Sequence, residues 1–118
     1  MTAPRDYRDF LQDLVEACRS IIEFVEGMTL DSYLADKKTQ FAVVRGFEIM
    51  GEAVRHLPDD VRTANADIPW AMMTAVRNRA IHGYFGIDDT ILFTTIHEDL
   101  KPLLPRLERL AREHDAGG

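Results

Sequence analysis

A chain of 118 residues with 46% hydrophobic content can bury one core and is too short for two. Its net charge of −6 excludes a protein that coats nucleic acid nonspecifically. No apolar run approaches the roughly 20 residues of a membrane span, and Met1-Thr2-Ala3-Pro4-Arg5-Asp6 lacks a signal peptide's apolar stretch, so a cytoplasmic protein is expected.

Helical signals dominate the pass along the chain. Pro4 and Asp6 precede a long segment of 3.6-residue period (Phe10, Leu14, Ala17, Ile21, Phe24, Val25) that Gly27 ends. Within it the lone Cys18 reads as a small core or interface residue in a reducing compartment. Thr29 to Asp36 reads as a short helix or turn. A second long helix runs from about Lys37 to Leu57 and breaks at Pro58; a short helical piece follows, and Asn65 to Ile68 is a loop. Pro69 suits the first turn of a third main helix, because its missing N–H is not needed there. Gly83 and Gly86 punctuate the end of that helix. Asp88 or Asp89 caps a last helix through Leu92, Phe93, Ile96, Leu100, Leu103, Leu104, Leu107 and Leu110, which Pro102 and Pro105 should kink. No alternating strand of useful length appears. The expected architecture is all-α, an antiparallel bundle of four or five helices forming one domain over residues 1–112, with a frayed tail over 113–118.

The second long helix carries more apolar surface than one core contact uses. Val43, Val44, Phe47, Met50, Val54 and Leu57 form a core stripe, while Phe41, Ala42, Ile49 and Ala53 fall largely outside it at ~100° per residue. Exposing that second patch would favour a homodimer; the alternative is coverage by the first helix.

Charge is unevenly distributed. Residues 1–36 hold 3 basic and 8 acidic side chains, and residues 86–118 hold 4 and 7. Residues 37–85 hold 7 basic and 5 acidic, so a locally basic centre lies between acidic ends. That permits a small phosphate site but no extended phosphate-tracking stripe.

Within this centre, Arg77-Asn78-Arg79-Ala80-Ile81-His82-Gly83-Tyr84 gathers a guanidinium, an amide, an imidazole and a phenol into about two helical turns. Projected from Trp70, the third helix has an apolar arc of Trp70, Met73, Val76, Ala80 and Ile81, and Arg77 lies inside it. Asn78 and His82 share another face with Ala71 and Ala75. Each residue has a bland explanation: Arg77 snorkelling to Glu48 or Glu52, His82 favoured by a helix C-terminus, Tyr84 packing its ring. Together they are better explained by an anion site. The chemistry such a set supports is phosphodiester handling without a metal or cofactor. His82 titrates near neutrality and can move a proton from a 2′-hydroxyl or to a departing 5′-oxygen. Arg77 offers forked donors to phosphate oxygens, and Asn78 can fix the His82 tautomer or donate to the phosphate. His56, His97 and His114 are scattered, the last two reading as solvated helix-surface residues, and no carboxylate–His cluster has metal-ligand spacing.

At these residues the chain resembles the HEPN-domain proteins, specifically the HepT-like toxins of type VII toxin–antitoxin pairs. That family's motif is Arg, four to six residues, His, any residue, Tyr. It stands here as Arg77, four residues, then His82-Gly83-Tyr84, with the polar Asn78 after the Arg. Gly51-Glu52-Ala53, Ile68-Pro69-Trp70 and Tyr84-Phe85-Gly86-Ile87-Asp88 extend the likeness from the first helix to about Leu110; Phe93 departs from it where many relatives carry Trp. The resemblance implies a homodimeric helical bundle acting as a metal-independent endoribonuclease on RNA, with Arg77 and His82 in a cleft beside the dimer interface. It also implies a partner, a minimal nucleotidyltransferase antitoxin that transfers AMP to Tyr84. The acidic total charge favours a narrow RNA target. Two other readings stay open: a non-catalytic module binding nucleotide or the partner, and a purely structural adaptor bundle.

Overall fold

The computed structural model describes residues 5–75 and 88–115, and every regular element among them is helical. The order is α1 (Tyr7–Phe24), α2 (Leu30–Leu34), α3 (Lys37–Arg55), α4 (Asp59–Ala64), α5 (residues 70–75), α6 (Asp89–Thr95), a π-helical turn (Ile96–Leu100) and α7 (Lys101–Asp115). The all-α expectation therefore holds for the described residues.

Local chemistry sets most boundaries. Asp6 accepts from the Arg8 amide while Asp9 reaches back to the Asp6 amide, closing a capping box at the start of α1. Gly27 turns the chain out of α1 at φ +76°, a conformation costly for a residue with a Cβ. Thr29 and Ser32 form a second capping box on α2, and Asp36 accepts from the Thr39 amide at 3.0 Å to start α3. Asp88, the alternative to Asp89, caps α6 by accepting from the amides of Thr90 and Ile91.

The core lies where α1 packs against α3 and α7. Leu11, Leu14, Cys18 and Ile21 from α1 meet Val43, Phe47, Met50 and Val54 from α3, and Leu103, Leu107 and Leu110 from α7. Cys18 is fully buried, and burial pushes its thiol up to about 12, so it is an inert core residue. Helices α1 and α3 approach closely at Gly46, where an added Cβ would stand 2.5 Å from Ile21 Cγ1.

This close approach divides the second apolar face of α3. Ala53, expected outside the core, is buried, whereas Val44, expected inside it, is half-buried. Phe10 and Asp13 of α1 line one recess with Ile49 and Ala53, so α1 covers the C-terminal end of that face. Phe41, at its N-terminal end, stays 74% exposed.

The prolines near the C-terminus act through the hydrogen-bond ladder. Pro102 has no N–H to continue the α pattern, and the turn before it widens, with the Lys101 amide donating to the Ile96 carbonyl. A π turn precedes Pro102, while Pro105, also expected to kink the helix, lies within α7. The helix then continues to Asp115. Two histidines are more engaged than their spacing suggests. Tyr7 Oη and His114 Nδ1 are 3.0 Å apart, and His97 is half-buried with its ring edge-on to Phe93 at 4.5 Å.

Candidate functional site

Arg77, Asn78, His82 and Tyr84 lie outside the described residues, and so does the link to Asp88. What the structure places is the frame on both sides of them. Upstream, Pro69 opens α5, and Trp70 is half-buried with its indole N–H shared between the carbonyls of Arg62 (3.3 Å) and Asn65 (3.1 Å). Met73 is fully buried, as its place in the apolar arc requires. Ala71 and Ala75 are exposed; they are the small residues with which Asn78 and His82 are expected to share a face. With Thr74, Thr63, Arg62 and Asp59 they line an open groove of about 910 Å³. Arg62 pairs with Asp59, while its buried Nε has no acceptor among the described residues.

The Gly51-Glu52-Ala53 element lies on α3 with Gly51 and Ala53 buried and Glu52 half-buried. The two carboxylates considered as partners for Arg77 both have partners on their own helix. Glu48 meets Arg45 at 3.2 Å, and Glu52 meets His56 at 3.0 Å and Arg55 at 3.4 Å. His56 in turn stacks on Phe10 at 4.3 Å.

One cluster escaped the sequence reading. Arg106 of α7 donates from Nε to Asp67 Oδ2 (2.8 Å) and from Nη2 to Asp67 Oδ1 (3.1 Å) and Asn65 Oδ1 (2.7 Å). This guanidinium holds the Asp67 carboxyl below the usual carboxylate range. Its partners lie 39 and 41 positions away in the chain, beyond any helical periodicity, so spacing carried no signal. Among the described residues no group of three His, Cys, Asp or Glu is placed to hold a metal ion, and no helix is long and apolar enough to cross a membrane.

A domain helical throughout its described residues, with a half-buried Trp70 shortly ahead of an Arg–His–Tyr segment in the sequence, defines a class that comparison with known proteins makes specific. Residues 14–110 match the family model described as Ribonuclease HepT-like, a span that includes the whole Arg77–Tyr84 segment. The chain belongs to that family. It is 41% identical over 108 residues to "Probable ribonuclease HepT" of Thermococcus cleftensis, covering 92% of this chain and 98% of that one. A protein of Methanocaldococcus jannaschii named "Putative RNase MJ0127" is 38% identical over 109 residues, covering 92% and 90% of the two chains. No solved structure matches the chain.

Proposed function

We propose that this protein is the toxin of a toxin–antitoxin pair, a metal-independent endoribonuclease that uses Arg77 and His82, aided by Asn78, to cleave RNA. The observation that carries the reading is the family match across residues 14–110, because it spans a segment whose side chains already suit phosphodiester chemistry. His82 takes the 2′-hydroxyl proton as that oxygen attacks phosphorus. The P–O5′ bond breaks, leaving a 2′,3′-cyclic phosphate and a 5′-hydroxyl end. Arg77 stabilises the charge that builds on the non-bridging oxygens. One imidazole cannot serve at once as base and acid; a homodimer bringing two motifs together supplies the second group. Tyr84 is the control point: a nucleotidyltransferase antitoxin transfers AMP from ATP to its phenol oxygen, which loses its proton as pyrophosphate leaves, and the added phosphate fills and repels the site.

Purified protein should cleave RNA in the presence of EDTA. Arg77→Ala and His82→Ala should each lower the rate by at least about 100-fold, the scale of losing a general base or a charge-stabilising donor. An active His82→Ala enzyme would refute the mechanism. Co-expression with the cognate nucleotidyltransferase should add whole AMP units to the intact mass, lost in Tyr84→Phe; an unchanged mass beside an active transferase would remove the modification. A second reading, a nucleotide- or partner-binding module without catalysis, draws on the net charge of −6, which repels RNA. It requires AMP or ATP binding by protein that leaves RNA intact.

A further inference from the structure

We propose that Arg106 is a positioning residue for the catalytic segment, holding the corner from which the Arg77–His82 stretch departs; this rests on the ribonuclease reading above. The corner is residues 65–69, between α4 and α5, and it has no helical ladder of its own. Its order comes from a few hydrogen bonds that converge on Asn65. That side chain is buried: its Nδ2 donates to the Val61 carbonyl at 2.8 Å, and its Oδ1 accepts from Arg106 at 2.7 Å. The Asn65 carbonyl accepts from the Ile68 amide (3.0 Å) and from the Trp70 indole (3.1 Å). A single guanidinium on α7 thus grips Asn65 and, through a two-point fork, Asp67, and the same residue Asn65 holds the ring of the first residue of α5.

The arginine carries a cost as well as a gain. Its Nη1 is buried with no acceptor among the described residues, a desolvation cost that a methionine would not carry. What the arginine supplies, and methionine cannot, is a planar fork that fixes direction as well as distance. Direction matters because α5 is a lever. Arg77 comes seven positions and His82 twelve after Trp70 in the sequence. At ~1.5 Å per residue, a tilt of ~10° at the corner displaces the far end of α5, residue 75, by roughly 1 Å. Misplacement of about 1 Å can cost a reaction on the order of 100-fold.

The test uses the full chain and steady-state cleavage of an RNA substrate. Arg106→Met should lower kcat by about 10- to 100-fold with KM changed less than about twofold, because the segment is misaligned while the binding surface survives. Asp67→Asn should give a smaller loss, and the double variant should be no slower than Arg106→Met alone, as expected of residues acting through one contact. Arg19→Met, which removes the exposed α1–α7 pair with Glu108, should leave both constants unchanged. If Arg106→Met does not fold, Arg106→Lys, which keeps the charge and loses the fork, should show the same split. An unchanged kcat overturns the proposal, and so does a loss that Arg19→Met shares at an equal fall in Tm. Amide exchange over residues 65–75 separates the two claims. A wild-type chain that cleaves no RNA overturns the ribonuclease reading, and the corner is then judged by exchange alone: selective acceleration there in Arg106→Met supports the clamp, and unchanged exchange overturns it.

Discussion

His97 illustrates how a residue with no place in the proposed chemistry can still govern behaviour in solution. Its ring packs on Phe93, its Nε2 is buried with no partner among the described residues, and burial together with Lys101 lowers its pKa below the ordinary 6.5. The unfolded chain therefore takes up a proton as pH falls through about 6.5, while the folded chain resists it. Stability contributed by the neutral ring is present above that value, declines as pH falls towards the folded pKa, and then levels off. Replacing the ring in His97→Phe should remove this limb from a plot of urea midpoint against pH, leaving the wild-type curve steeper just below about pH 6.5. A parallel pair of curves would contradict it. The carboxylates of Asp6, Asp36 and Asp67 have lowered pKa values and act in a separate window. Their contribution is present above the unfolded carboxylate range and is lost only as pH falls through their folded values.

At the scale of the helix, the caps and breakers were readable because they act within four residues: Asp6, Gly27, Pro58, Pro69 and Asp88 each stand at or beside the boundary their chemistry suggests. What could not be read was which faces meet. Ala53 is buried and Val44 half-buried, and α1 approaches α3 closely at Gly46, a relation between residues about 25 positions apart that no helical wheel contains. Gly46 is therefore a packing glycine. Gly46→Ala should lower stability by about 1–3 kcal/mol through the clash with Ile21, outweighing the ~0.5–1 kcal/mol that alanine adds to a helix interior. Thermal unfolding would show this as a reduced Tm; a raised Tm would mean that Ile21 moves aside freely. Likewise, both prolines of the last helix predict a disturbance, but only the coordinates show it as a π turn running from Ile96 to Leu100.

For the whole molecule, the exposed apolar residues Phe41 and Phe24, together with half-buried Ile49, which lines a recess with Phe24 on the α1–α3 side, are where we propose that two copies associate. Phe41→Lys should shift the mass in light scattering from dimer to monomer at micromolar concentration while leaving helical content intact; a wild-type monomer would remove the proposal. The sequence by itself determined the all-α class, the positions of most helix ends, and a chemically coherent Arg77–Asn78–His82–Tyr84 segment. Those follow from interactions between near neighbours along the chain. Only the tertiary structure decided which apolar surface is covered, that His97 and His114 have ring partners, and that Arg106 reaches the corner ahead of α5. Each depends on groups tens of residues apart brought together by burial of a common core, a nonlocal and directionless driving force that leaves no fixed spacing to read.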